Sequence, residues 1–323
     1  MQFRSLGKTG AKVSEIGYGA WGIGGEMWQG SEDSQSMIAL RKAVEVGVNF
    51  FDTALAYGNG HSEMLVGNLR RSSVEKIIIA TKVPPKNRQW PARAGVPFNE
   101  AFPKNYIIES TEQSLKNLRV DTIDVQQLHV WSDEWVAADE IWEAIRLLKS
   151  QGKIKAFGIS INDHAPASAL KAAKTGMVDT FQVIYNVFDQ SPEEELFPYC
   201  LANNIGVIVR VPLDEGGLTG RIKQDTVFPD RDWRNNYFRG DRKQQVYDRV
   251  QKLKPLLGAE AKTLPELALR FILSHPAVST IIPGMRNIAN VETNSAVSDG
   301  KHLSEKLLKE LKKHKWARNF YGE

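Results

Sequence analysis

Short apolar runs separated by longer amphipathic stretches set the rhythm of this chain. The runs are EIGYGA (15–20), NFFDT (49–53), KIIIATK (76–82), DVQQLH (124–129), KAFGIS (155–160), FQVIYN (181–186), GVIVRV (206–211) and STIIPG (279–284). Each has strand length and is rich in β-branched or aromatic residues. Helical spacing fills the intervals, as in SQSMIALRKAVEVG (34–47), NYIIESTEQSLKNL (105–118) and LPELALRFILSHP (264–276). Some of these open on a helix-start residue and close on glycine, as Ser34 and Gly47 do. The alternation predicts parallel βα units, and the eight runs are the number that closes an α/β (β/α)8 TIM barrel. A doubly wound open sheet is the rival architecture. It expects a glycine fingerprint after its first strand, whereas GYGAWGIGG contains no G-x-G-x-x-G and sets Trp21 where a pyrophosphate would approach.

Three segments stand outside the units. FRSLGKTGAKV (3–13) reads as an N-terminal β-hairpin around Gly7–Lys8–Thr9–Gly10, placed to plug the barrel bottom. Residues 83–105 carry five prolines and Trp90, and 212–243 carry glycines followed by basic and aromatic residues. Both read as long βα loops, which in a barrel are usually functional. No linker divides the chain, so 1–323 is expected to form one barrel domain.

Composition narrows the class only modestly. Apolar content of 42% and charged content of 25% are ordinary for a soluble globular protein, and a net charge of +4 suits an anionic small molecule without pointing to nucleic acid. The loop 221–243 has seven Lys or Arg against four Asp, with Trp233, Tyr237 and Phe238 interleaved; a cofactor clamp explains it better than a nucleic-acid surface. Cys200, the one cysteine, excludes an intrachain disulfide and sits in an apolar helical stretch as a small hydrophobe. MQFRSLGKTG lacks the apolar run of a signal peptide, and no apolar stretch has membrane-spanning length, so a cytoplasmic location away from membranes is expected.

The chemistry lies at the ends of the runs. Asp52, Lys82 and His129 close the second, third and fourth, and Tyr57 follows five residues after Asp52. Strand ends meet on one face of a barrel, where active sites form. Each residue alone has a bland reading: a helix cap, a solvated lysine, a packed tyrosine, a core histidine. Together they form a proton donor for a carbonyl oxygen. A lysine ammonium favours the phenolate and is expected to lower the tyrosine pKa from about 10, Asp52 to fix that lysine, and His129 to orient the carbonyl. No metal ligand set is expected.

The motifs GYGAWGIGG, FFDTALAYGNGHSEMLVG, IIIATK, DVQQLH, FGISIND, FQVIYN, VIVRVPLDEGGLTG and STIIPGMRN occur in order from residue 17 to about 294. In these the chain resembles the aldo-keto reductase superfamily, and R-V-P-L-x-x-G-G-L-T-G brings it nearest the bacterial open-loop branch related to general-stress reductases and potassium-channel β subunits. The resemblance implies a catalytic tetrad of Asp52, Tyr57, Lys82 and His129, with Tyr57 as general acid, and reversible NADPH-dependent reduction of aldehydes or ketones. NADH is the alternative cofactor. It further implies that Ser160, Asn162 and Gln182 hold the nicotinamide amide, although Ile161 separates the usually adjacent Ser-Asn pair. Arg210 stands where many relatives stack an aromatic ring, to lie on the nicotinamide or reach the pyrophosphate. Trp21, Pro212 and Leu213 complete that end of the expected cofactor site.

Gly217, Leu218 and Gly220 belong to a glycine-rich turn whose amides can approach phosphate. Gly284 ends the last run, and Arg286 beside it is the candidate for an adenosine 2′-phosphate, with Asn290 and Asn294 toward the adenine. Trp21, Trp90 and Trp131, with Trp28 nearby, are expected to make an apolar mouth for an aromatic or aliphatic carbonyl compound. Two other functions fit less well: a cofactor-binding regulatory subunit with weak reductase activity, and a Schiff-base lyase using Lys82. The latter needs a neutral lysine, which Asp52 and Tyr57 oppose. The oligomeric state is not legible in the sequence.

Overall fold

The computed structural model describes residues 1–25, 28 and 30–316. A two-stranded antiparallel hairpin, β1 (Phe3–Ser5) and β2 (Lys12–Ser14), precedes eight parallel strands. These are β3 (Tyr18–Gly19), β4 (Phe50–Asp52), β5 (Ile78–Val83), β6 (Ile123–Leu128), β7 (Ile154–Ser160), β8 (Thr180–Ile184), β9 (Gly206–Arg210) and β10 (Thr280–Ile281). They pair in chain order, and parallel bridges Ile16–Ile281 and Gly19–Gly284 join the last strand to the first. The closed barrel excludes the open sheet. At the seam a Cβ on Gly19 would stand 2.5 Å from the carbonyl oxygen of Ile282, so only glycine lets the strands meet there.

Strand alternation sorts side chains between two environments. Phe50, Ile78, Ala80, Val125, Ala156, Ile208 and Ile282 point inward and form one apolar cluster with Leu6 and Val13 of the hairpin. The hairpin thus seals the barrel floor with its own apolar residues. Outward residues such as Phe51, Ile79, Phe157, Phe181 and Val207 pack under the helices in a second, larger cluster. Cys200 lies in that layer, and burial pushes its thiol up to about 12. No helix among the described residues is long and apolar enough to cross a membrane.

The two long loops hold more structure than their composition announced. The proline-rich segment folds a short helix at Phe98–Ala101, anchored by the buried Phe98, Ala101 and Phe102. The second loop contains a short helix at Trp233–Tyr237 and runs into a helix at Arg242–Leu253 that the apolar pattern does not mark. That helix buries only Arg242, Val246, Val250 and Leu253, a stripe too narrow to stand out among its charged neighbours.

Candidate functional site

The same alternation that packs the barrel floor builds the site above it. One level beyond the apolar cluster, the inward positions are Asp52, Lys82, Gln127, Ser160, Gln182 and Arg210. Lys82 is fully buried; its Nζ donates to Asp52 Oδ1 at 2.5 Å, to the Thr53 carbonyl at 2.8 Å and to Tyr57 Oη at 3.4 Å. Asp52 also accepts at Oδ2 from Gln182 Nε2 (2.7 Å) and Gln127 Nε2 (3.3 Å), so its charge is met on both sides. His129 stands edge-on between Tyr57 and Trp90, with ring centroids at 5.6 and 4.4 Å. The four expected residues therefore converge.

The rest of the D-T-x-x-x-Y-G-x-G-x-S-E stretch holds Tyr57 in place. Thr53 Oγ1 donates to Ser62 Oγ at 2.8 Å, and Ser62 passes a bond to the Ala20 carbonyl. Glu63 accepts from Thr81 Oγ1 at 2.6 Å and from Asn117 at 2.8 Å. Gly58 adopts φ +62° with its missing Cβ site 2.0 Å from the Gly24 carbonyl oxygen, a position closed to any other residue. The motif clamps the Tyr57 loop onto the barrel rim.

Electrostatics divide the protons. Burial disfavours a charged Lys82, but the Asp52 carboxylate and Tyr57 outweigh it, and the lysine pKa rises. For Tyr57 the balance runs against the expected lowering. Burial raises the phenol pKa, and although Lys82 opposes this, the net shift is upward, so the half-buried Tyr57 keeps its proton at neutral pH. Burial and the positive Lys82 and Arg210 hold His129 well below the ordinary histidine range, and its Nδ1 is buried without a hydrogen-bond partner. The cluster presents a protonated phenol backed by an ammonium, with a neutral imidazole alongside. Such a set serves an oxygen atom that gains negative charge.

A cleft of about 1570 Å³ opens over this cluster. Trp21, Trp90, Ser160, Asn162, Gln182, Arg210, Pro212, Leu213, Gly284, Arg286 and Asn290 line it as expected, together with Trp28, Glu215, Gly216, Thr219, Trp233 and Arg234. A Cβ at Gly216 or Gly284 would meet nothing within 4 Å, so backbone there lies open to a bulky group. Arg234 forks onto Asp232 (2.8 Å from Nε and from Nη2) and stacks 4.5 Å from the Trp28 ring centroid. Arg286 lies 5.9 Å from the same ring, and burial and Arg234 hold its pKa below the usual arginine value. Two neighbouring guanidiniums beside a tryptophan suit a phosphate-bearing group. Open backbone, paired arginines and a length of cleft reaching Tyr57 fit a dinucleotide.

Some of the expected residues also bond within the protein, and others lie off the cleft lining. Trp131 is fully buried and packs on Trp135 and Trp142, because β6 ends at Leu128 and the alternation that would aim it at the cleft has stopped. The apolar mouth therefore lacks it. Asn162 uses its amide to tie Ala92 (3.2 and 3.3 Å) to the Trp131 carbonyl (2.9 Å). Gln182 commits its Nε2 to Asp52. Arg210 bonds the Ile161 carbonyl at 2.8 Å and pairs with Asp163. Gly217, Leu218 and Gly220 lie behind the cleft wall. A Cβ on Gly217 would press on Asp214, and Gly220 turns the chain at φ +74° against Leu264. Asn294 is buried in the helix Ile288–Ser295, away from the lining. Sequence reading missed Glu215, Trp233 and Arg234 as individual contacts; the charge and aromatic content of 221–243 was the available signal.

Comparison with known proteins agrees with this architecture. The sequence profile of the Aldo/keto reductase family matches residues 15–315. Aldo-keto reductase YhdN of Bacillus subtilis (strain 168) is 33% identical over 305 residues, covering 92% of this chain and 89% of that protein. The NADH-specific methylglyoxal reductase of Escherichia coli (strain K12) is also 33% identical, over 306 residues, covering 90% and 91%. Among solved structures, aldo-keto reductase AKR11C1 from Bacillus halodurans, in its holo form, superposes with a TM-score of 0.78 at 28% identity, covering 98% of this chain and 97% of that one. Glycerol dehydrogenase AKR11B4 from Gluconobacter oxydans gives a TM-score of 0.80 at 28% identity, covering 97% and 94%. With a profile match over nearly its whole length and a closed barrel of the same form, this chain belongs to the aldo/keto reductase family, as an NAD(P)H-dependent oxidoreductase acting on carbonyl groups.

Proposed function

We propose that the protein reduces small aldehydes or ketones to alcohols with NADPH, Tyr57 serving as the proton donor. When bound, the reduced nicotinamide supplies hydride to the carbonyl carbon. Tyr57 Oη gives its proton to the carbonyl oxygen as that oxygen gains charge, and Lys82 stabilises the phenolate left behind until solvent returns the proton. Asp52 keeps Lys82 charged and aimed at Tyr57. His129, neutral, positions the carbonyl oxygen beside the phenol. Ser160 and the free amide oxygen side of Gln182 are the groups that would orient the nicotinamide amide, and Arg210 would flank its ring.

The observation that carries this reading is the unbroken line from Asp52 Oδ1 to Lys82 Nζ (2.5 Å) to Tyr57 Oη (3.4 Å). NADPH is favoured over NADH because Arg286 and Arg234 line one part of the cleft together, both beside the Trp28 ring. Tyr57→Phe tests the assignment. It should lower kcat for a short aldehyde by about 10²–10⁴-fold, the usual scale of a lost general acid, while NADPH fluorescence titration stays near wild type. Full activity in that variant removes Tyr57 from the reaction.

A further inference from the structure

Gln127 points inward from β6 at the level of the reacting groups, in register with Lys82 on β5 and Gly158 on β7. Gln127, Gln182 and Asp52 meet inside the barrel wall with exposures of 0, 1 and 2%. A long side chain fits there because its neighbour has none. A Cβ on Gly158 would stand 3.0 Å from Gln127 Cγ and 2.3 Å from Thr180 Oγ1.

The polarity of this trio follows from the one member that can only accept. A carboxylate paired with an ammonium has no proton to give, so each amide that meets Asp52 Oδ2 must turn its nitrogen toward it. Gln182 Nε2 does so at 2.7 Å and Gln127 Nε2 at 3.3 Å. Gln127 then has its oxygen left over, and Oε1 accepts from Gln182 Nε2 at 3.4 Å. Both hydrogens of that nitrogen are thereby used inside the barrel. Gln182 lines the cleft and Gln127 does not, so what the pair shows to a ligand is the Gln182 carbonyl oxygen. We propose that Gln127 is a positioning residue that holds the Gln182 amide with its oxygen toward the cofactor, and so makes the site select a carboxamide N–H over a group that can only accept. The inference rests on the reading above, in which Ser160 and Gln182 meet the nicotinamide amide. Without Gln127, the second N–H of Gln182 is released and can turn toward an incoming carbonyl.

The test is equilibrium binding, by titration calorimetry, of NADP+ and of its 3-acetylpyridine analogue, in which a methyl group replaces the carboxamide NH2. No substrate is present, so the result does not depend on turnover. The wild-type protein should bind NADP+ about tenfold more tightly than the analogue, the scale of one buried acceptor left without its donor. Gln127→Met keeps the length of the side chain and removes both polar ends, and Gln127→Asn keeps the amide but withdraws it by one methylene. In either variant the preference should fall toward one, and either suffices if the other does not fold. Gln127→Glu keeps an oxygen for Gln182 and, through the proton that two neighbouring carboxyls share, a donor for Asp52. It should retain the wild-type preference, which a space-filling role would not distinguish from the Met variant. A ratio near one in the wild type, a preference unchanged in the Met or Asn variant, or its loss in the Glu variant overturns the role of Gln127. In each of those cases NADP+ still binds and the reductase reading stands. Binding of neither dinucleotide to the wild type defeats both.

Discussion

Lys82 and Asp52 form an ion pair that solvent does not reach, with Nζ 2.5 Å from Oδ1 and exposures of 0% and 2%. A buried pair is held by mutual need: removing one partner strands the other's charge in a poorly solvating interior. Lys82→Met should therefore cost about 3–5 kcal/mol of folding stability as well as the activity. Chemical denaturation and kcat measured on the same preparation check both, and a variant as stable as wild type would show that Gln182 and Gln127 alone satisfy Asp52.

The protonation pattern predicts a plain pH profile. His129 is depressed, chiefly by burial, so it is neutral already above its ordinary value of about 6.5, and stability is lost progressively as pH falls from there through its lowered folded value. Tyr57 is raised, chiefly by burial, so its proton is retained below its ordinary value of about 10 and lost only above it. The kcat of carbonyl reduction should show no ionisation between about pH 6.5 and 10 arising from these two groups. A limb near 6.5 that vanishes in His129→Asn would contradict the neutral imidazole.

Cofactor choice should follow the arginines. Arg286→Ala is expected to weaken NADPH by about 1.5–3 kcal/mol, ten- to hundredfold in KM, while sparing NADH. Equal losses for both cofactors would place Arg286 on the pyrophosphate instead of the 2′-phosphate.

Glu215 adds a titration inside the cleft. Burial and the neighbouring Asp214 push its carboxyl up to about 8, against the pull of Arg210 and Arg234 and with Asp163 adding to the push. Below that value it is neutral; above it, a negative charge lines the path of an anionic cofactor. NADPH affinity should fall as pH rises through about 8, and Glu215→Gln should flatten that dependence. Isothermal titration from pH 7 to 9 decides it.

Much of this site could be read before any coordinates because every second residue of a strand faces the same way. Phe50 and Asp52, Ile78, Ala80 and Lys82, and Thr180 and Gln182 alternate inward, so the apolar members predict where the polar ones go. Prediction weakened where strands stopped. Trp131 lies past the end of β6, and nothing in its neighbours says that it turns into the helices. It weakened again where two opposed effects had to be weighed. The ammonium beside Tyr57 was legible; the desolvation that exceeds it depends on packing from distant segments. The bonds that tie Asn162 to Ala92 were not legible either, since they join loops 70 positions apart.

Leu6 and Val13 stopper the barrel from below. A vessel corked at one end has a single doorway, and here that doorway is already spanned by the cleft above Tyr57. Both reactants must therefore come to Tyr57 from the face opposite the hairpin.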